Sequence, residues 1–466
     1  MHSNFIIMSG MLVTGIVTWL GLLFYYHYNQ KKNASPSLPP RPKPLPILGN
    51  IFDLPPPGIP EFQHWLKFKD LYGPISSITV LGQPIIILSD KQTTDDILYK
   101  IEAAAMIIKI VYGYFVDPDA ADSLAELIDK MMSNFSEAMV PSPRLVDMIP
   151  ALRHLPDWFP GTAYKETARR WNKINHDTVN IQYSFVERQM ANGTHRPSMV
   201  SDLIERYTVT ESLNGKLDRD KEDAIKWTAG ILYGGGSDTT VAALSSFRLA
   251  IVLFPEVQQR AQEELDSLLG TCPERLPCFE DQERLPYTSA LVTEVLRWYG
   301  IVPISTPLMA DQEIIYGSYR IPKGACLLPV VWCLHHDPLT YQDPFSFSPE
   351  RFLEPRNEPD PGEAFGWGRR VCPGRYMADD NLIITIARIL AVFNITKAVD
   401  EHGNPIEPRV GYTPGVVSHL TEFPSTVITA RSKRHEGLVR SIEVDRPGEK
   451  SDVDLLKLDA ELMTST

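Results

Sequence analysis

Residues 365–375 read Phe-Gly-Trp-Gly-Arg-Arg-Val-Cys-Pro-Gly-Arg, so that a single cysteine, Cys372, follows a glycine-rich turn and precedes a helical pattern. A thiolate at that place is stabilised by backbone N–H groups and by the positive end of the helix that follows. Gly366, Gly368 and Gly374 remove side chains where a loop has to approach a flat macrocycle closely, and Arg369, Arg370 and Arg375 offer cations to propionates or to an acidic partner. A buried structural cysteine would account for Cys372 alone and leaves the surrounding string unexplained. Further upstream, Gly235-Gly236-Ser237-Asp238-Thr239-Thr240 sets an acid and three hydroxyls directly after consecutive glycines. Gly234 to Gly236 are poor helix formers, and Ser237, Asp238 and Thr239 can compete for the backbone groups they free, leaving room for a ligand. Two shorter elements are Glu294-x-x-Arg297 and Pro349-Glu350-Arg351-Phe352. Each is weak alone: an E-x-x-R is commonly a surface i,i+3 ion pair, and a Thr pair in an apolar helix commonly bonds back to its own carbonyls.

These groups need a sizeable scaffold, and a chain of 466 residues with 43% hydrophobic and 22% charged residues supplies one. Its composition excludes collagen-like, low-complexity and fully disordered readings. A net charge of -13 leaves no general basic surface for nucleic acid. Cys272, Cys278, Cys326, Cys333 and Cys372 are odd in number and form no CxxC pair, so neither a disulfide framework nor a zinc site is indicated, and a reducing compartment fits.

Phe5 to Tyr26 are 22 residues without a charge, enough at about 1.5 Å per residue to cross a hydrocarbon core of roughly 30 Å. The run exceeds the apolar region of a cleaved signal peptide and no basic segment precedes it, so a retained membrane anchor is expected over residues 1–30. Lys31 and Lys32 follow it, which places the bulk of the chain in the cytosol. A stiff Pro-rich hinge is expected over residues 31–54. The main domain is residues 55–440, and residues 441–466, with seven acids against three bases and no aromatic residue, are expected to be disordered. Within the main domain Ile75 to Asp90 suggests a hairpin around Gly82-Gln83-Pro84, and Ile101 to about Leu269 is mostly helical, with one long run from Asp223 to Leu268. A helix from Tyr287 through Trp298 and a last one from about Tyr376 to Phe393 complete a mainly α chain with minor β. The three Asn-x-Ser/Thr matches at Asn134, Asn192 and Asn394 fall on the cytosolic side, where glycosylation does not occur.

Phe365, Gly368, Arg370, Cys372 and Gly374 fit F-x-x-G-x-R-x-C-x-G, and the chain thereby resembles the cytochrome P-450 family, whose other three elements occur here in the family's order. The resemblance implies the cytochrome P-450 fold behind a single N-terminal transmembrane helix in the endoplasmic reticulum membrane. It implies haem b with Cys372 as the axial ligand of its iron, where a thiolate favours O–O cleavage. Asp238 and Thr239 would be the catalytic proton relay, and Glu294, Arg297 and Arg351 a buried structural triad. Electrons would come from NADPH-cytochrome P-450 reductase, docking near Arg369, Arg370 and Arg375. The activity implied is monooxygenation of an apolar small molecule. Trp158 to Gly161 (WFPG), His335 to Pro338 (HHDP) and the haem string resemble the members that fungi use for secondary metabolism. Tyr233, Ile304, Ser305, Thr306, Val416 and Val417 take substrate-pocket positions relative to the motifs, and each equally suits core packing.

One departure stands out. Lys100 runs straight into Ile101-Glu-Ala-Ala-Ala, where relatives carry several helices, a W-x-x-x-R that grips a haem propionate, and the loop that roofs the pocket. No W-x-x-x-R occurs between Gly73 and Pro150, and Pro307-Leu308-Met309 replaces a Pro-His followed by a base. An exon lost from a gene model and a genuine variant of reduced activity both explain this, and the smooth family pattern on either side favours the first. The alternatives to monooxygenation are a non-catalytic or impaired membrane-anchored remnant and a haem-thiolate isomerase or dehydratase. Asp238 and Thr239 speak against the isomerase or dehydratase, which needs no proton relay for dioxygen.

Overall fold

The computed structural model describes residues 42–44, 50, 53, 71–72, 75–80, 83–88, 106–116, 122–139, 146, 149–211, 217–306, 308–400, 402–413, 415–422, 425–445 and 451–456. The expected anchor, most of the hinge and the Lys100–Ile101 junction lie outside them. Among the described residues no single helix is long and apolar enough to cross a membrane. The chain divides into two compact units, Met1–Thr94 and Asp95–Thr466.

In the first unit, strands β1 (Ile75–Val80) and β2 (Gln83–Leu88) pair antiparallel, from Ile75 opposite Leu88 to Val80 opposite Gln83. Their branched residues suit a pleated surface. The turn is tighter than the sequence suggested, because Gln83 and Pro84 belong to β2 and Pro84 faces Thr79. A proline there is tolerable because it lies on an edge.

The second unit is helical with small sheets. A helical stretch over residues 106–112 is followed by α1 (Ser123–Met139), α2 (Ala163–Ala191), α3 (Met199–Glu211), α4 (Arg219–Leu253), α5 (Pro255–Leu269) and α6 (Pro286–Tyr299). Strand β3 (Leu308–Met309) pairs with β6 (Cys326–Leu327), β4 (Ile314–Tyr316) with β5 (Tyr319–Ile321), and α7 (Val331–His335) follows. Helix α8 (Arg375–Val392) leads into β7 (Phe393–Lys397), which pairs with β8 (Thr426–Ala430), and α9 (Lys433–Asp445) comes last. The run from Asp223 to Leu268 is thus two helices. Pro255 lacks the N–H that would continue α4, opens α5 at its first position, and the axes bend by 104°.

Helix α4 belongs to two cores. Its first half contributes Ile225, Ala229 and Tyr233 to a cluster with Ile108, Leu124 and Phe185; its last half contributes Ala242, Phe247 and Leu249 to a cluster with Leu265, Leu291 and Ile386. The Gly234–Thr240 stretch lies between them, where the helix is least committed to packing.

The expectation of disorder over residues 441–466 does not hold for the described part of that segment. Helix α9 runs through Asp445, and Asp452 is buried: its carboxylate accepts from Phe115 N–H at 2.8 Å and from the Arg196 guanidinium at 2.5 Å, while its own N–H donates to Phe115 O at 2.9 Å. Leu456 joins the first core cluster. Acid-rich composition signals solubility, but here one acid finds a cation and a backbone edge, and one leucine an apolar seat.

Candidate active site

The cysteine loop is closed by its own backbone. Cys372 N–H donates to Phe365 O at 2.8 Å, and Gly366 and Gly368 take φ of +83° and +55°, which other residues adopt only under strain. At Gly366 a Cβ would also stand 3.3 Å from Arg370 O. Trp367 to Pro373, with Cys372, Arg369 and Arg370 among them, are exposed, and Gly374 caps the start of α8. Arg375 lies over the Phe365 ring at 5.4 Å and near the carboxylates of Asp360 (3.6 Å) and Asp379 (3.9 Å), yet its Nε is buried without a hydrogen-bond partner. Burial pushes the Asp379 carboxyl up to about 6, against the pull of Arg375. The Cys278 thiol donates to Asp281 at 3.1 Å, and that carboxylate pushes the thiol up.

On α4 the hydroxyls bond backward, Thr239 to Gly235 O at 2.6 Å and Thr240 to Gly236 O at 2.6 Å, with the helix unbroken from Arg219 to Leu253. The three glycines do different things. A Cβ at Gly234 would lie 2.7 Å from Met132 Sδ and one at Gly236 3.3 Å from Ile107, so these two admit neighbouring side chains. Gly235 alone of the three faces open space. Ala224, Thr228, Ile231 and Gly235 form an exposed stripe, and Ile231 is 68% exposed on what is otherwise a core helix. Asp238 Oδ1 lies 3.0 Å from His419 Nε2. Sequence reasoning missed His419, although it sits two residues beyond Val417, in a turn already singled out.

Glu294, Arg297 and Arg351 are brought together with no exposed surface. Glu294 accepts from Arg297 Nε (2.7 Å) and Nη2 (2.9 Å), from Arg351 Nε (3.0 Å) and from Ser348 N–H (2.8 Å). Arg297 also donates to His335 O and Pro344 O, and Arg351 to Glu358, a fourth member that the motifs did not reveal. His335, buried beside them, is held down at about 4, chiefly by burial and further by the Arg297 charge.

The suggested pocket residues separate. Tyr233 is fully buried with its ring 6.3 Å from that of Tyr112, and Val417 is a buried core residue. Periodicity reports that a residue is apolar on a helix and not which neighbour it meets. Ile304 and Thr306 are exposed, Ser305 and Val416 half-buried; Pro307 lies outside the described residues.

A cysteine presented on an open glycine loop, a core helix with one bare face, and a buried carboxylate–guanidinium cluster define the class. The family model for cytochrome P-450 matches residues 103–419, and the chain belongs to that family. It is a monooxygenase of the family. It is 39% identical to the cytochrome P-450 monooxygenase CLM2 of Gibberella zeae over 95% of this chain and 98% of that protein. It is 39% identical to the multifunctional cytochrome P-450 monooxygenase af510 of Aspergillus fumigatus, over 91% and 94%. It is 32% identical to the O-methylsterigmatocystin oxidoreductase of Aspergillus flavus, over 93% and 95%. The family carries haem b and receives NADPH-derived electrons through a reductase. The first of these alignments runs over 528 residues against a chain of 466, so dozens of the relative's positions face no residue here, and the family match begins just past the Lys100–Ile101 junction.

The residues present fit a haem. A soft sulfur donor stands on an exposed loop that glycines keep thin, Arg370 is free of burial, and Arg375 Nε lacks a hydrogen-bond partner. Two glycine substitutions should therefore have opposite effects. Gly235→Ala meets nothing and should raise stability by up to about 1 kcal/mol through helix propensity, while narrowing the open face and lowering haem uptake. Gly230→Ala would place a Cβ 2.5 Å from Val179 Cγ1, a stiff branched side chain. Overpacking of roughly 1–3 kcal/mol should then outweigh the helix gain. Denaturation midpoints and haem content of the two variants check this; shifts of the same sign in both midpoints would contradict it.

Proposed function

We propose that this chain inserts one atom of dioxygen into an apolar small molecule of secondary metabolism, working at the cytosolic face of the endoplasmic reticulum membrane. The observation that carries the reading is the exposed Cys372 on its backbone-closed glycine loop at the start of α8. When bound there, haem supplies the activation of dioxygen that no side chain provides. Cys372 Sγ would hold its iron and Arg370 a propionate, and Gly366, Gly368 and Gly374 keep the loop thin enough for close approach. Arg369, Arg370 and Arg375 offer a reductase a cationic face. Thr239 keeps a hydroxyl proton at Gly235 O on the open side of α4, and Asp238 holds a carboxylate beside it, so the two form a source of protons for the distal side. The uncharged run Phe5–Tyr26 followed by Lys31 and Lys32 supports the membrane assignment. Relatives named for multifunctional and O-methylsterigmatocystin oxidation support the metabolic one.

Thr239→Ala should leave haem content unchanged while NADPH electrons drain into peroxide. Peroxide release per NADPH is the measurement, in a form that turns over; an unchanged ratio removes Thr239 from the relay. A second reading applies to the 466-residue chain as it stands, and the alignment positions that face no residue favour it: without the propionate clamp and pocket roof it is an impaired member that holds haem poorly. Isomerase or dehydratase chemistry has no comparable support, since it leaves the Asp238–Thr239 pair without a task.

A further inference from the structure

We infer that His419 is the positioning residue for Asp238, fixing the orientation of its carboxylate from a turn that is anchored outside α4; the inference rests on the monooxygenase reading above. Asp238 Oδ1 lies 3.0 Å from His419 Nε2, an ion-pair distance, and among the described residues no other side chain pairs with Asp238. Asp238 is 18% exposed and His419 27%, so the pair sits at the edge of the interior with the imidazole on the wetter side.

The turn that carries His419 is held at every step. Its N–H donates to Thr413 Oγ1 at 2.9 Å and its carbonyl accepts from Thr413 N–H at 2.9 Å. The preceding residue, Ser418, donates its N–H to Ile301 O at 2.8 Å, just beyond the end of α6. Tyr412 and Leu420 form an antiparallel bridge, Tyr299 donates its hydroxyl to Gly411 O at 3.2 Å, and Val417 and Leu420 are buried in the second core cluster. The imidazole is therefore a partner fixed in space. An aspartate on a helix otherwise samples several rotamers and competes for nearby backbone groups. A fixed polar partner selects one of them, as outer partners orient the groups that do chemistry at other sites.

The pair is tested first in the full chain without haem. With histidine labelled by nitrogen-15, the His419 imidazole resonance, assigned by its loss in His419→Leu, should shift in Asp238→Asn; no shift means the contact is absent and overturns the inference. The second arm uses the haem-loaded fraction with reductase. His419→Leu should raise peroxide per NADPH several-fold at unchanged haem content. His419→Gln, whose amide N–H reaches the place of Nε2, should restore most of the coupling. The double variant Asp238→Asn with His419→Leu should be no worse than Asp238→Asn alone, because both changes break one device. Wild-type coupling in His419→Leu, a failed rescue by Gln, or additive losses would each overturn it. A wild-type protein whose bound haem lacks a thiolate spectrum would instead defeat the family-site reading and leave the resonance test to decide the pair.

Discussion

Glu294→Ala is expected to yield protein that unfolds at markedly lower denaturant and is recovered without haem. Four hydrogen bonds end on this one carboxylate, three of them from two guanidinium groups that have no exposed surface. Removing it leaves Arg297 with carbonyl partners only, at His335, Pro344 and Ser346, and no counter-charge. Arg351 keeps Glu358, so Arg297 bears most of the penalty. Breaking a buried pair in this way costs about 3–5 kcal/mol, a large part of the 5–15 kcal/mol that holds an ordinary protein folded. The segment those arginines organise, from Gln342 to Glu358, leads directly into the cysteine loop. Glu294→Gln, which retains the shape and one acceptor oxygen but loses the charge and sets an NH2 against the guanidinium donors, should fall between. A Glu294→Ala protein with normal haem content and an unshifted midpoint would remove the structural role.

A still larger effect is expected from the gap proposed above after Lys100. On that reading haem has to rely on the sulfur bond, the loop arginines and apolar contact, and an unroofed distal side would admit water, which screens charge and lets activated oxygen decay unproductively. The 466-residue chain should therefore be recovered with low haem content and little turnover, and a form carrying the missing genomic segment should be an ordinary monooxygenase. Haem per protein and product per haem for the two forms are the measurements. Equal values would mean that another stretch of this chain replaces the clamp, or that residues 101–114 are aligned with the wrong part of the family. Resequencing the transcript across Lys100 decides in parallel which form the gene encodes.

What could be read in the sequence depended on how local the signal was. The Cys372 loop and the Glu294–Arg297 pair are short strings whose spacing alone brings the groups together, and the structure shows the corresponding geometry. Arg351 lies 57 residues from Glu294, and only its place in a recurring string linked the two. Glu358 belongs to no such string. The glycines before Asp238 were legible as a weak point of a helix, but which of them faces open space is decided by Met132 and Ile107 on other elements. For the same reason the sequence leaves Tyr233 open between groove and core, and the structure buries it in a core cluster. His419 lies 181 positions from Asp238 in a turn without a motif of its own, and Asp452 in a tail whose composition hid its partners Phe115 and Arg196.

The most direct test of the whole account is the reduced, carbon monoxide-treated spectrum of the purified chain beside Cys372→Ala and the alanine variants of Cys272, Cys278, Cys326 and Cys333. The account predicts that whatever haem the chain holds gives the red-shifted Soret band for which the family is named. The band should vanish in Cys372→Ala alone and persist in the other four, whose surroundings lack the glycine loop and helix start. A haem-bearing Cys372→Ala protein that keeps the band, or a haem-bearing wild-type protein that never shows it, would contradict the account.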